Sequence, residues 1–193
     1  MQLKESDKSR FDHIYKDMTV QFPQSELKNY DCQKRLFTDK KSDYHIYTAF
    51  DGKKETGYII FYADKENKVL WLDYIAVFRE FHSQGYGSKI LEAIKKTFKE
   101  MNGMFLEVEK PDENEPNTIR RIKFYTKHGA KKSDCSYFYP NRSGFLEMDL
   151  YFLPFKEGFS PTKEMTRHAV KNVFQTIHCD LPHVNEVLDK III

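Results

Sequence analysis

The sequence predicts an α/β chain of the mixed α+β kind: a central, mostly antiparallel twisted sheet flanked by helices, with a C-terminal helical extension. Three observations predict it. Residues 44–78 fall into three apolar or alternating stretches, broken at Asp51-Gly52 and at Asn67, which is the pattern of an antiparallel meander. Residues 70–98 run from an apolar strand through Gly85 and Gly87 straight into an amphipathic helix. Beyond Ser160, the apolar residues Met165, Ala169, Val173, Phe174 and Ile177 recur at helical spacing. Hairpins combined with one strand–turn–helix–strand crossover require a mixed sheet with helices on both faces.

In chain order, residues 1–5 form a short first strand. Ser6 and Asp7 are helix-start residues for a segment to about residue 20, with Phe11, Ile14, Tyr15 and Met18 on its apolar side. Phe22-Pro23 ends it, and a second helix is expected over 25–37. Strands follow over 44–50, 55–63 and 69–78, then a helix over 87–101, stopped by Asn102-Gly103. An apolar strand covers 104–109, a polar loop 111–117, and a helix 118–127, which ends at His128-Gly129. Two strands, 130–139 and 144–155, flank a turn at Pro140-Asn141. Ser160-Pro161 has the form of an N-cap followed by a first-turn proline, opening a helix to about residue 177, and a shorter helix runs from 182 to the end. The expected organisation is a domain over 1–155 and an extension over 156–193, packed on the same domain or on a subunit partner.

A chain of 193 residues buries a sizeable core, and 16 Phe and 12 Tyr supply much of it. Net charge is only +2 with both signs interspersed, so the one-sided basic field of a nucleic-acid binder is missing. No apolar run approaches the length of a membrane span, and the first residues lack a signal-peptide core. Cys32, Cys135 and Cys179 are isolated, an odd count that fits reduced thiols in the cytoplasm.

The strand–glycine–helix junction at residues 82–88 is the feature that carries chemistry. It aims unpaired main-chain N–H groups at one spot, at the positive end of a helix dipole, which is a site for phosphate or pyrophosphate. A P-loop would need a Gly-Lys-Ser/Thr ending, which is absent. A dinucleotide fingerprint would need three glycines early in a βαβ unit, whereas here two glycines follow three antiparallel strands.

The turn His82-Ser83-Gln84-Gly85-Tyr86-Gly87 resembles motif A of the GNAT superfamily of acyl-CoA-dependent acetyltransferases, whose turn is Gln/Arg-x-x-Gly-x-Gly/Ala. Phe105–Glu109 and the helix carrying Arg120-Arg121-Ile122-Lys123-Phe124-Tyr125, which ends at Gly129, resemble that family's fifth strand and its following helix. The resemblance spans roughly residues 1–155. It departs from the pattern at His82, where Gln or Arg is usual, and at Thr118, where many members have Asn and this chain has Asn117 one place earlier.

The resemblance implies an N-acetyltransferase that binds acetyl-CoA as cosubstrate, uses no metal, and passes the acetyl group directly to a primary amine in a ternary complex. The alternative is a non-catalytic acyl-CoA-binding or regulatory module on the same fold. Gly85 and Gly87 let the backbone approach the diphosphate, and the amides of Ser83, Gln84, Gly85, Tyr86, Gly87 and Ser88 bind it. His82 either adds a hydrogen bond to phosphate or is an exposed turn residue. Ile75, Ala76 and Val77 offer main-chain groups to the pantetheine arm, and an N–H near Val77 polarises the thioester carbonyl. Asn117 and Thr118 are placed to meet the same arm. Tyr125 corresponds to the family's general acid for the departing thiolate, or else is a core aromatic beside Ile122 and Phe124.

An amine must shed a proton before it attacks, and Asp73, Glu107 and Glu109, acidic groups inside apolar strands, are the candidate bases. Their other reading is as rim carboxylates, or as partners of Arg120 or Arg121. His178, Cys179, Asp180 and His183 fit no zinc spacing and are expected to be a solvated helix end. The acceptor pocket is expected from residues 12–40 and 137–143, where the acidic residues Asp12, Asp17, Asp31 and Asp39 suit a cationic amine although Lys and Arg surround them. The partner is thus a small-molecule or peptide amine, with no nucleic acid, no membrane, and a homodimer possible through the extension.

Overall fold

The computed structural model describes residues 1–24, 26–39, 41–142, 144–178 and 181–193. The chain divides into two compact units, residues 1–63 with 72–99, and residues 64–71 with 100–193. The mixed sheet is as the sequence predicts, but among the described residues it has eight strands, one more than the seven expected. No helix among the described residues is long and apolar enough to cross a membrane.

The first unit contains β1 (Gln2–Glu5), α1 (Lys8–Gln21), α2 (Tyr30–Thr38), β2 (Tyr44–Asp51), β3 (Lys54–Asp64, less its last residue), residues 72–77 of β4 (Val69–Val77) and α3 (Tyr86–Thr97). β1, β2 and β3 pair antiparallel in sequence order. A register shift opposite Ala49/Phe50 leaves Thr56 as the extra residue of β3, and its hydroxyl donates to the Ala49 carbonyl at 3.2 Å. α1 starts at Asp7, whose carboxylate accepts from the amides of Ser9 and Arg10, and it buries Phe11, Ile14 and Met18 as its spacing predicts. Phe11 meets the rings of Tyr30 and Phe37 at 5.3 and 5.8 Å, which docks α2 against α1. α2 begins at Tyr30, capped by Asn29, and not at the expected Ser25, which lies outside the described residues. The side chain of Asn29 accepts from the amide of Asp31 and so sets the start.

The second unit contains residues 69–71 of β4, β5 (Gly103–Glu109), α4 (Pro116–Lys127), β6 (Lys131–Lys132), β7 (Tyr137–Asn141), β8 (Gly144–Pro154), α5 (Lys163–Thr176) and α6 (Val184–Leu188). β8 is the hub, antiparallel to β5, β6 and β7. The single strand expected over 130–139 is two short strands on β8, separated by residues 133–136. The extension belongs to this unit: Phe174 on α5 packs edge-on against Tyr137 at 6.3 Å, and Ser136 bridges to Ile192. α5 starts two residues later than expected, because Thr162 rather than Ser160 accepts from the amide of Met165 at 3.2 Å. The last helix is five residues long and does not reach the chain end.

Candidate active site

In the first unit β4 ends at Val77, and a single 3-10 turn, Arg79–Phe81, leads to residues 82–85. Ser83 and Gly85 both have positive φ, at 61° and 78°. The chain therefore folds back on itself before α3 begins at Tyr86. A Cβ on Gly85 would meet nothing within 4 Å, so glycine serves the left-handed backbone there rather than a lack of room. Among the described residues, the amides of residues 83–87 donate to no main-chain carbonyl, while that of Lys89 donates to the Gly85 carbonyl at 3.3 Å. A helix start leaves its first amides in this state, and the helix dipole adds positive potential.

The turn's side chains fold back onto the protein. His82 donates from Nε2 to the Val77 carbonyl at 2.8 Å, and Gln84 donates to the Glu80 carbonyl at 3.0 Å. Tyr86 donates to Asp51 at 3.0 Å; this bond raises the phenol and lowers the carboxyl from their ordinary values. Lys89 lies 4.3 Å over the Tyr86 ring and 3.7 Å from Asp51, a cation in the first turn of α3. The main chain is thus left as the receptor surface, which suits an anion with several oxygens.

The end of β4 is polarised in a definite direction. Phe78 donates its amide to Thr56 on β3 at 3.0 Å, and the Ala76 carbonyl lies beside Gly57, where a Cβ would come within 2.2 Å of it. Peptide groups alternate edges along a strand, so Val77 turns its N–H and C=O away from β3. On that edge its carbonyl accepts from Gln21 Nε2 on α1 at 3.1 Å as well as from His82. Gln21 also donates to Asp17 at 2.6 Å, and Tyr58 donates to the same Asp17 oxygen at 2.9 Å. Asp17, expected from the sequence only as one of four acidic residues suited to a cationic amine, and Gln21, which the sequence did not single out, sit four residues apart on the polar face of α1.

Of the three carboxylates named as candidate bases, Asp73 is the most enclosed. Its side chain is 3% exposed, 2.8 Å from the Lys28 ammonium (5% exposed), and accepts from the Tyr44 hydroxyl at 2.6 Å. Gln33 in turn donates to Tyr44 at 3.0 Å. Burial, followed by the charge on Asp73, holds the Tyr44 phenol well above its ordinary value. The partner of Asp73 is therefore Lys28, not an arginine of the 120–121 pair.

In the second unit Glu107 accepts a hydrogen bond from Tyr137 and lies 3.7 Å from His178 Nε2. His178 is fully buried, and neither ring nitrogen has a hydrogen-bond partner among the described residues. The expectation of a solvated helix end is thus corrected at His178, whose ring is enclosed by Tyr139 and Phe174 at 5.2 and 5.6 Å. Cys179 and Asp180 lie outside the described residues. Glu109 pairs with Arg121 on α4. Tyr125 is buried on α4, and burial, only partly offset by the Arg121 charge, pushes its phenol up to about 12. It is a protonated hydroxyl at neutral pH. Thr118 accepts from the Asp112 amide and donates to the Glu115 carbonyl, while Asn117 accepts from Arg120, so both are engaged at the start of α4.

The sequence model of the Acetyltransferase (GNAT) family matches residues 9–130. A Bacillus subtilis (strain 168) protein named "Putative acetyltransferase YjbC" is 28% identical over 170 residues, covering 85% of this chain and 80% of its own length. A solved structure titled "Putative acetyltransferase from GNAT family from Bacteroides thetaiotaomicron" superposes with a TM-score of 0.76 at 22% identity, over 92% of this chain and 98% of that one. An aminoglycoside 6'-N-acetyltransferase solved with coenzyme A shares the fold with a TM-score of 0.60 at 14% identity, over 84% of this chain and all of the other.

Proposed function

Because this chain belongs to the Acetyltransferase (GNAT) family, we propose that it transfers an acetyl group from acetyl-CoA directly to a primary amine, in a ternary complex. The observation that carries the reading is the set of amides at residues 83–87, without main-chain acceptors, at the start of a helix and shaped by Gly85 in the left-handed region. These amides, with that of Ser88, hold the cosubstrate's diphosphate, and Gly87 keeps the first turn of α3 open to it. Ile75, Ala76 and Val77 offer main-chain groups to the pantetheine arm, as an added strand would use them. The N–H of Val77, on the edge turned away from β3, polarises the thioester carbonyl and steadies the oxyanion. His82 braces the turn through Val77. Tyr125 supplies the proton taken up by the departing thiolate; its phenol is protonated at working pH and so has that proton to give. Cys32 and Cys135 are free thiols, which fits a reducing compartment such as the cytoplasm.

Gly85→Asp tests the diphosphate site. A ligand that binds only the native state stabilises it by about 2.7 kcal/mol at about 100 times its Kd, so coenzyme A should raise Tm by several degrees in the wild type. Gly85→Asp puts a carboxylate where the phosphates go and strains a positive φ; the CoA-dependent rise should vanish while the ligand-free protein still melts cooperatively. A rise that survives the substitution refutes the placement. Thiol release from acetyl-CoA in the presence of an amine separates the enzyme from a non-catalytic module, which would show the rise in Tm and no turnover.

A further inference from the structure

We propose that Asp17 is the carboxylate that takes the acceptor's proton, and that the acceptor accordingly enters as a cationic primary amine. The proposal rests on the acetyltransferase reading and deepens it.

His13, Asp17 and Gln21 are spaced four apart and form one stripe along α1. The stripe faces the end of β4: the His13 ring is 5.5 Å from Phe78, and Gln21 holds the Val77 carbonyl at 3.1 Å. One nitrogen, Gln21 Nε2, donates to both Asp17 and Val77, so the Asp17 carboxylate stands one atom away from the strand edge at which the thioester is proposed to sit. Asp17 is half-buried. Its Oδ2 accepts from two neutral donors, Gln21 and Tyr58, which orient the carboxylate without cancelling its charge. Among the described residues Oδ1 takes no hydrogen bond, and no cationic side chain lies within ion-pair distance.

Asp73, Glu107 and Glu109, by contrast, are tied to Lys28, to Tyr137, and to Arg121. A half-buried carboxylate held in one orientation, with a free oxygen and no counter-cation, fits an ammonium arriving from outside. Asp17 is also within reach of such an amine, directly or through one water, when the amine lies against Val77.

The ammonium gives one proton to Asp17 Oδ1, and the freed nitrogen lone pair attacks the thioester carbonyl carbon. The C–N bond forms and the C–S bond breaks. The thiolate leaves and takes a proton from an acid (Tyr125 in the proposed function), the new amide loses its second proton to water, Tyr125 regains one proton from water, and Asp17 returns its own to solvent, so that one proton is released per turnover. Tyr58 and Gln21 are positioning residues.

The test uses the full chain, acetyl-CoA, and three amines as probes: putrescine, lysine amide and an alanine-led peptide. Asp17→Asn should lower kcat about 100-fold, the scale of one general base, while coenzyme A still raises Tm as in the wild type. Asp17→Ala should regain rate in proportion to added formate, which a merely structural residue would not do. Tyr58→Phe leaves the charge and loosens it, and should lower kcat several-fold with little change in amine KM; it serves if Asp17→Asn fails to fold. A kcat within about threefold of wild type in Asp17→Asn overturns the proposal, as does a loss confined to KM, or an inactive Asp17→Ala that formate leaves inactive. If the wild type binds coenzyme A yet acetylates none of the three amines, the functional reading has failed and this proposal falls with it.

Discussion

Lys28 and Asp73 face each other at 2.8 Å with almost no solvent on either. Removing one partner of such a pair strands a buried charge, whereas removing both charges does not. Lys28→Met should therefore destabilise the protein by about 3–5 kcal/mol, read as a fall in the urea midpoint at unchanged m-value. Lys28→Met combined with Asp73→Asn, which keeps an acceptor for the Tyr44 hydroxyl, should recover most of the loss. Additive losses in the double variant would contradict the pairing. The sequence made half of this legible. An acidic residue inside an apolar strand must be paired, solvated or functional, and Asp73 was singled out on that ground. Its partner was not legible, because Lys28 lies 45 residues away and only the docked fold brings the two together. The Glu109–Arg121 pair, 12 residues apart on consecutive elements, was within reach of sequence reasoning. Asp17 was legible only as one of four acidic residues suited to a cationic amine, and Gln21 not at all, for a different reason: polar residues on an amphipathic helix ordinarily face water, and spacing alone does not say which of them meet a strand end.

At the scale of elements, the ends were harder to read than the bodies. β2, β3 and β4 lie within one or two residues of the sequence expectation, because alternation and continuous apolar runs report burial directly. Helix starts depend on single hydrogen bonds, and for α5 the cap was expected at Ser160 and lies at Thr162. The Thr162 hydroxyl takes the Met165 amide, and Glu164 occupies the first turn, its carboxyl lowered chiefly by its own backbone N–H and then by Thr162. Thr162→Ala should cost about 1 kcal/mol, seen in thermal or urea unfolding, while Ser160→Ala should cost almost nothing; the reverse ranking would place the start at Ser160. The strand expected over 130–139 failed because β8 is long enough to pair with two short strands in succession, a property of the partner that residues 130–139 do not encode.

Over the whole molecule, the aromatic composition that promised a core also sets how the protein responds to alkali. The phenols of Tyr44, Tyr47, Tyr58, Tyr86, Tyr125, Tyr137 and Tyr151 are held above the ordinary value of 10. Burial is the leading cause for all but Tyr86, where the bond to Asp51 leads. For a group raised in the folded state, the unfolded chain loses its proton first. Between the unfolded and folded values the unfolded state binds fewer protons, so stability falls as pH rises. The contribution is complete below about pH 10, and for Tyr125 it is lost by about pH 12. Stability measured by urea unfolding should therefore be nearly flat from neutral pH to about pH 9 and drop steeply beyond pH 10. Phenolate absorbance should show a stage above about pH 10 that coincides with the loss of tertiary signal. Tyr125→Phe should make the alkaline fall shallower. A single phenolate titration centred near pH 10, complete while the fold is intact, would contradict the burial assigned to these side chains.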